Sequence, residues 1–122
     1  MRALVVDDDE IFCRFLVELL EENGLEVNWT TSALAAYELL SRESYDISII
    51  DVRMPLLLGT EILEAIKQAH PKARMILASA FADEVLQEYA RSKGILLLSK
   101  PFTTKQLLDA VQLVVRDSMG SN

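Results

Sequence analysis

The chain has 122 residues, 51% of them hydrophobic, and a formal net charge of −7. That length suits one domain rather than two, the apolar fraction excludes a disordered chain, and the acidic balance argues against direct binding of nucleic acid. No apolar run nears the roughly 20 residues that span a bilayer, and residues 1–6 run into Asp7-Asp8-Asp9 too soon for a signal peptide. A soluble, cytoplasmic protein without membrane contact is therefore expected. Cys13 is the single cysteine, which leaves neither an internal disulfide nor a cysteine metal cage. Among Ile11, Phe12 and Phe15 it reads as a small buried hydrophobe.

Short β-rich runs alternate with segments of helical period. Residues 3–6 form the first strand candidate. After it, Phe12, Phe15, Leu16, Leu19 and Leu20 mark a helix that Asn23-Gly24 would stop. Residues 26–30 alternate Val27 and Trp29 with polar neighbours, which suits an edge strand. Thr31-Ser32 offers a cap for a second helix marked by Leu34, Leu39 and Leu40. Residues 47–50 are the third strand, followed by a helix through Ile62, Leu63 and Ile66 that ends near His70-Pro71. Residues 75–78 are the fourth, followed by Val85, Leu86 and Tyr89 and a stop at Lys93-Gly94. Residues 95–98 are the fifth, and Thr103-Thr104 opens a last helix through Leu107, Leu108, Val111 and Val114. One domain is expected over 1–118, with 119–122 as a tail or the start of a linker.

Strict alternation of five such units predicts an α/β fold: a five-stranded parallel sheet with five helices laid on both faces. Four of the strand candidates are nearly continuous apolar runs, as expected of strands covered on both sides. Ligands of open α/β sheets bind at the carboxyl ends of the strands. Those ends carry Asp7-Asp8-Asp9-Glu10, Asp51, Ser79-Ala80 and Ser99-Lys100-Pro101. Crowded carboxylates repel one another unless a cation lies between them, and a hard, oxygen-ligated ion such as Mg²⁺ meets that need. A carboxylate beside such an ion can act as nucleophile toward phosphate, with the Lys100 ammonium and the Ser79 hydroxyl offsetting the transferred charge. Each residue alone has a plainer reading: the acidic run as a helix cap and dipole partner, Asp51 as turn chemistry, His70 as a surface-loop residue and Trp29 as packing. Pro101 is read as fixing the loop after Lys100, with either peptide isomer open.

The runs Leu4-Val5-Val6-Asp7-Asp8-Asp9-Glu10, Ile50-Asp51-Val52-Arg53-Met54-Pro55 and Ser99-Lys100-Pro101-Phe102 resemble the signatures of the receiver domains of two-component response regulators, with 28 residues from Asp51 to Ser79 and 21 from there to Lys100. The resemblance covers residues 1–117. It implies a doubly wound, flavodoxin-like sheet of order 2-1-3-4-5 and a signalling switch driven by phosphorylation. Asp51 would be the phosphoacceptor. Asp7, Asp8, Asp51 and the backbone carbonyl of Arg53 would hold Mg²⁺, and Ser79 and Lys100 would bind the phosphoryl oxygens. The donor would be a histidine kinase or a histidine phosphotransfer protein. The domain would catalyse its own phosphorylation and slow hydrolysis, yet act as a regulator of an effector domain, a target protein or a homodimer formed through the face of the fourth helix, fifth strand and fifth helix.

Two features depart from the family pattern. Leu97 stands where an aromatic residue often relays the signal, either as a plain core leucine or as the mark of an altered relay. Leu56-Leu57-Leu58 replaces a more polar loop before Gly59, and would fold onto the core or present an apolar patch. Arg53 and Phe81 flank the expected path of attacking water and would slow hydrolysis. Two other classes compete. An aspartyl phosphatase of the haloacid-dehalogenase type would need a second carboxylate where Arg53 stands, together with a cap domain. A degenerate receiver would bind partners without phosphate.

Overall fold

The computed structural model describes residues 1–51 and 59–120, with residues 59, 60, 62 and 116–120 by backbone alone. Strands β1 (Arg2–Val6), β2 (Glu26–Thr30), β3 (Ile47–Asp51), β4 (Arg74–Ser79) and β5 (Leu96–Ser99) alternate with helices α1 (Glu10–Glu22), α2 (Ala33–Arg42), α3 (Gly59–Ala69), α4 (Glu84–Lys93) and α5 (Thr104–Gly120). All pairings are parallel, in the order β2-β1-β3-β4-β5. The parallel sheet is the one expected from the alternation, and its order is the one the family resemblance implies.

Alternation along each strand divides the interior in two. Leu4, Val6, Ile50 and Leu77 face a layer built by Ala33, Ala36 and Leu40 of α2, Leu63 and Ile66 of α3, and Leu86 of α4. Ala3, Val5, Ile47, Ile49 and Ile76 face the opposite layer, where α1 supplies Cys13, Leu16 and Leu20 and α5 supplies Leu107, Ala110, Val111 and Val114. The central strands β1, β3 and β4 are buried on both faces, and that explains their continuous apolar sequences. β5 differs from the expectation of full cover. It forms one edge of the sheet, and Leu96, Leu97 and Leu98 are only half-buried. Leu97 packs on the α2–α3–α4 side of the core, which favours the plain core reading.

The helix faces also depart from expectation. Phe15, Leu34 and Val85 mark helical period, yet they are exposed by 46%, 66% and 79%. Small residues hold the buried positions beside them: Cys13 in α1, Ala33 and Ala36 in α2, and Ala90 in α4. A small side chain lets a helix approach the sheet closely, so a face drawn through the large residues alone is rotated away from the true one. Helix starts are capped by Asp9, Ser32 and Asp83, whose side chains accept from the backbone N–H three residues on. Gly94 ends α4 at φ +67, a left-handed position that glycine adopts without penalty. Helix α5 runs on to Gly120. His70 is half-buried, with Nε2 3.1 Å from the carbonyl oxygen of Leu40, and Trp29 packs against the α1–α5 layer. Among the described residues, no helix is long and apolar enough to cross a membrane.

Candidate functional site

Register brings the chemistry-bearing residues to one edge. β1 and β3 pair Val6 with Ile50, so Asp7 and Asp51, the next residues of each, lie side by side at the carboxyl ends of two adjacent central strands. β4 pairs Ala78 with Asp51 and carries Ser79 one residue further. β5 pairs Ser99 with Ser79, and Lys100 follows. Its backbone N–H donates to the Ser79 carbonyl at 2.8 Å, which anchors the start of the loop. The peptide from Lys100 to Pro101 is cis.

From that anchor the lysine stem reaches over the end of β4 toward β1. Lys100 Nζ lies 2.7 Å from Asp7 Oδ2 and 3.7 Å from Asp51 Oδ2. The first is a charge-assisted hydrogen bond and the second an ion pair without one. These side chains are 19%, 2% and 10% exposed respectively, so solvent screens them weakly. The ammonium also stands 4.2 Å from the centroid of the Phe12 ring. Ser79 is buried, and its Oγ accepts from the Phe81 N–H at 3.0 Å. That leaves the hydroxyl's own proton to be donated.

The acidic run is split between two tasks. Asp9 is the cap of α1: its Oδ1 accepts from the Phe12 N–H at 3.1 Å. Its own N–H donates to Asp7 Oδ1 at 3.0 Å, which fixes the orientation of the Asp7 carboxylate. Asp7 and Asp8 are not caps. With Asp51 they each place one carboxylate oxygen within 4.8 Å of the others, Asp7 and Asp51 buried and Asp8 exposed. A Mg²⁺ ion with ligands at about 2.0–2.1 Å bridges oxygens up to about 4 Å apart, so slight closure of this trio fits such an ion. The donor set is all oxygen, as a hard cation requires. Arg53, whose carbonyl was expected to complete it, lies outside the described residues, as do Leu56, Leu57 and Leu58.

Cys13 lies under the site as a buried thiol that donates to the Asp7 carbonyl at 3.3 Å. Burial, with Asp7 beside it, pushes its pKa up to about 12, so it is protonated and unreactive at neutral pH. Sequence reasoning thus located Asp7, Asp8, Asp51, Ser79 and Lys100, and the structure gathers them. It missed the ring of Phe12 over Lys100, because helical period marked Phe12 only as a face residue.

Comparison with known proteins agrees with this geometry. The family model described as the response regulator receiver domain matches residues 3–112. A response regulator receiver protein of Anaeromyxobacter is 34% identical over 110 residues, covering 88% of this chain and 46% of its own length. The response regulator receiver protein CpdR of Brucella abortus is 29% identical, over 91% of this chain and 93% of its own. The chain therefore spans less than half of the first relative and nearly all of the second. In overall fold, the crystal structure of a CheY-like receiver domain protein from Methanospirillum hungatei superposes with a TM-score of 0.92 at 23% identity, covering 99% of this chain and 98% of that one.

Proposed function

The chain belongs to the response regulator receiver domain family, and on that premise we propose that its Asp51 carboxylate accepts the phosphoryl group that drives the switch. The observation that carries this reading is the Asp7–Lys100–Asp51 arrangement, with Lys100 Nζ 2.7 Å from one carboxylate and 3.7 Å from the other. An Asp51 oxygen attacks the phosphorus of a phosphohistidine on a histidine kinase or phosphotransfer protein. The O–P bond forms as the P–N bond breaks, and the histidine, already protonated on its other ring nitrogen, takes the P–N electron pair and leaves as the neutral imidazole. Lys100 can swing from Asp7 toward the new phosphoryl oxygens without leaving its anchor at Ser79. The Ser79 hydroxyl donates to the same group with the proton that its contact with the Phe81 N–H leaves available.

Asp7, Asp8 and Asp51, with the Arg53 carbonyl as the expected further ligand, would hold Mg²⁺. When bound, the ion would offset the negative charge of the incoming group. Asp9 keeps the Asp7 carboxylate oriented throughout. The domain acts in the cytoplasm on an effector or target protein and does not itself grip nucleic acid. The face of α4, β5 and α5, where Val85 and Leu113 are exposed, is the surface through which phosphorylation promotes pairing of two copies. Sedimentation with Mg²⁺ and beryllofluoride should reveal a dimer there; an unchanged monomer rejects that part of the reading.

Incubation with acetyl phosphate and Mg²⁺, followed by intact mass, tests the acceptor role. A phosphate-sized addition that Asp51→Asn or chelation abolishes is the expected result. No adduct on the wild-type chain, together with no beryllofluoride binding, would replace this reading with that of a phosphate-independent binding module.

A further inference from the structure

We propose that Phe12 is a positioning residue for the Lys100 ammonium, its ring face holding the cation at the phosphoryl site without competing for the metal or the phosphoryl group. The inference rests on the reading of Asp51 as acceptor and Lys100 as its cationic partner. Lys100 Nζ stands 4.2 Å from the Phe12 ring centroid, well inside the roughly 6 Å over which an aromatic quadrupole attracts a cation. The ring is held on two sides. The Phe12 N–H is fixed by the Asp9 cap at 3.1 Å, and the ring meets Phe102 edge to face, with centroids 5.6 Å apart and planes at 73°. It thus ties the first turn of α1 to the segment that follows Lys100.

The chemistry of the site explains why an aromatic face suits this position. At rest, the closest partner of Lys100 is Asp7, at 2.7 Å. Asp7 is also one of the three carboxylates gathered for a cation, and a cation drawing on Asp7 weakens its hold on the lysine. A carboxylate at position 12 would retain the ammonium but add negative charge and a further oxygen ligand where the phosphoryl group must enter. An aliphatic side chain would add no electrostatic attraction. A phenyl ring attracts the ammonium, ligates no hard metal, and leaves the three N–H groups of the lysine to bond oxygens. The ring therefore keeps Lys100 near Asp51 while its carboxylate partner changes. Helical period points to Phe12 as packing, and no motif marks it.

Ring-fluorinated phenylalanines at position 12 test this, since fluorine drains the face potential with little change of shape. The rate of Asp51 phosphorylation by acetyl phosphate at saturating Mg²⁺ should fall with each added fluorine, by about three- to tenfold across the series. Phe12→Tyr should restore most of what Phe12→Leu loses, and the series should be flat in a Lys100→Met background. A flat series in the wild-type background, or an equal slope without Lys100, overturns the proposal. The contact has a second readout that needs no phosphorylation. In the resting protein, NMR should show the Lys100 ε-methylene protons shifted upfield by the ring, and the shift should vanish in Phe12→Leu. Absence of that shift also overturns the proposal. Its presence in a chain that takes no phosphoryl group would instead fault the Asp51 reading and leave the contact intact.

Discussion

Lys100→Met removes the only positive charge that the described residues place between Asp7 and Asp51, and the cost can be worked from the distances. At an effective dielectric constant of about 20, unit charges 2.7 Å apart attract by about 6 kcal/mol and those 3.7 Å apart by about 4.5 kcal/mol. The variant also regains the several kcal/mol that were needed to strip water from the ammonium. It keeps the mutual repulsion of Asp7 and Asp51, which has lost its counter-charge. The net loss expected for breaking such a buried arrangement is about 3–5 kcal/mol. Urea unfolding of wild type and variant in a chelating buffer should show it as a lower midpoint at unchanged slope. Mg²⁺ should narrow the gap, because an ion among the carboxylates supplies the missing charge, and saturation at a hundredfold over the dissociation constant stabilises by about 2.7 kcal/mol. Adding Asp7→Asn should recover part of the loss in a double-mutant cycle. A variant as stable as wild type in chelator, or a deficit that neither Mg²⁺ nor Asp7→Asn reduces, would refute the argument that Lys100 balances these carboxylates.

Ser48 places a fully buried hydroxyl in β3 that has no hydrogen-bond partner among the described residues, so Ser48→Ala should raise stability by about 1 kcal/mol; a loss of that size in urea unfolding would contradict the unpaired hydroxyl. The Cys13 thiol, whose pKa burial pushes up to about 12 from 9.0, keeps its proton in the folded state after the unfolded chain has lost it. Stability should therefore fall as pH rises from about 9 toward about 12, with a shallower fall in Cys13→Ala; equal slopes would count against this. Over neutral pH the same thiol should react with thiol reagents only as fast as the protein opens. Gly94→Ala meets no neighbouring atom within 4 Å but forces an alanine to φ +67, and should cost about 1 kcal/mol. An unchanged thermal midpoint would show that α4 ends in another way.

Asp51, the acidic pair, the hydroxyl and the lysine were legible in the chain as one cluster because each follows a short apolar run, and strand ends in an open α/β sheet converge on one edge. The fold was legible for a similar reason: β1, β3 and β4 need nearly continuous apolar sequences when both faces are covered. Helix faces were harder to read. Ala33 and Ala36 are buried while Leu34 is 66% exposed, and composition alone does not say on which side of a helix the sheet will lie. The division of Asp7-Asp8-Asp9 between site and cap was equally hidden. All three are the same residue type in succession, and only the turn from β1 into α1 decides which points where.

What the sequence determined by itself was local and periodic: the alternation of strand and helix, the class of fold, and the residue types at the strand ends. Tertiary structure decided what depends on pairs far apart in the chain. Parallel register sets Asp7 beside Asp51, and the edge position of β5 leaves its leucines half-covered. The reach of Lys100 across β4 brings it 2.7 Å from Asp7, 93 positions earlier in the chain, with the ring of Phe12 beside it. Those contacts arise from packing two helical layers on one twisted sheet, and no spacing along the chain encodes a distance between side chains that only the assembled sheet brings together.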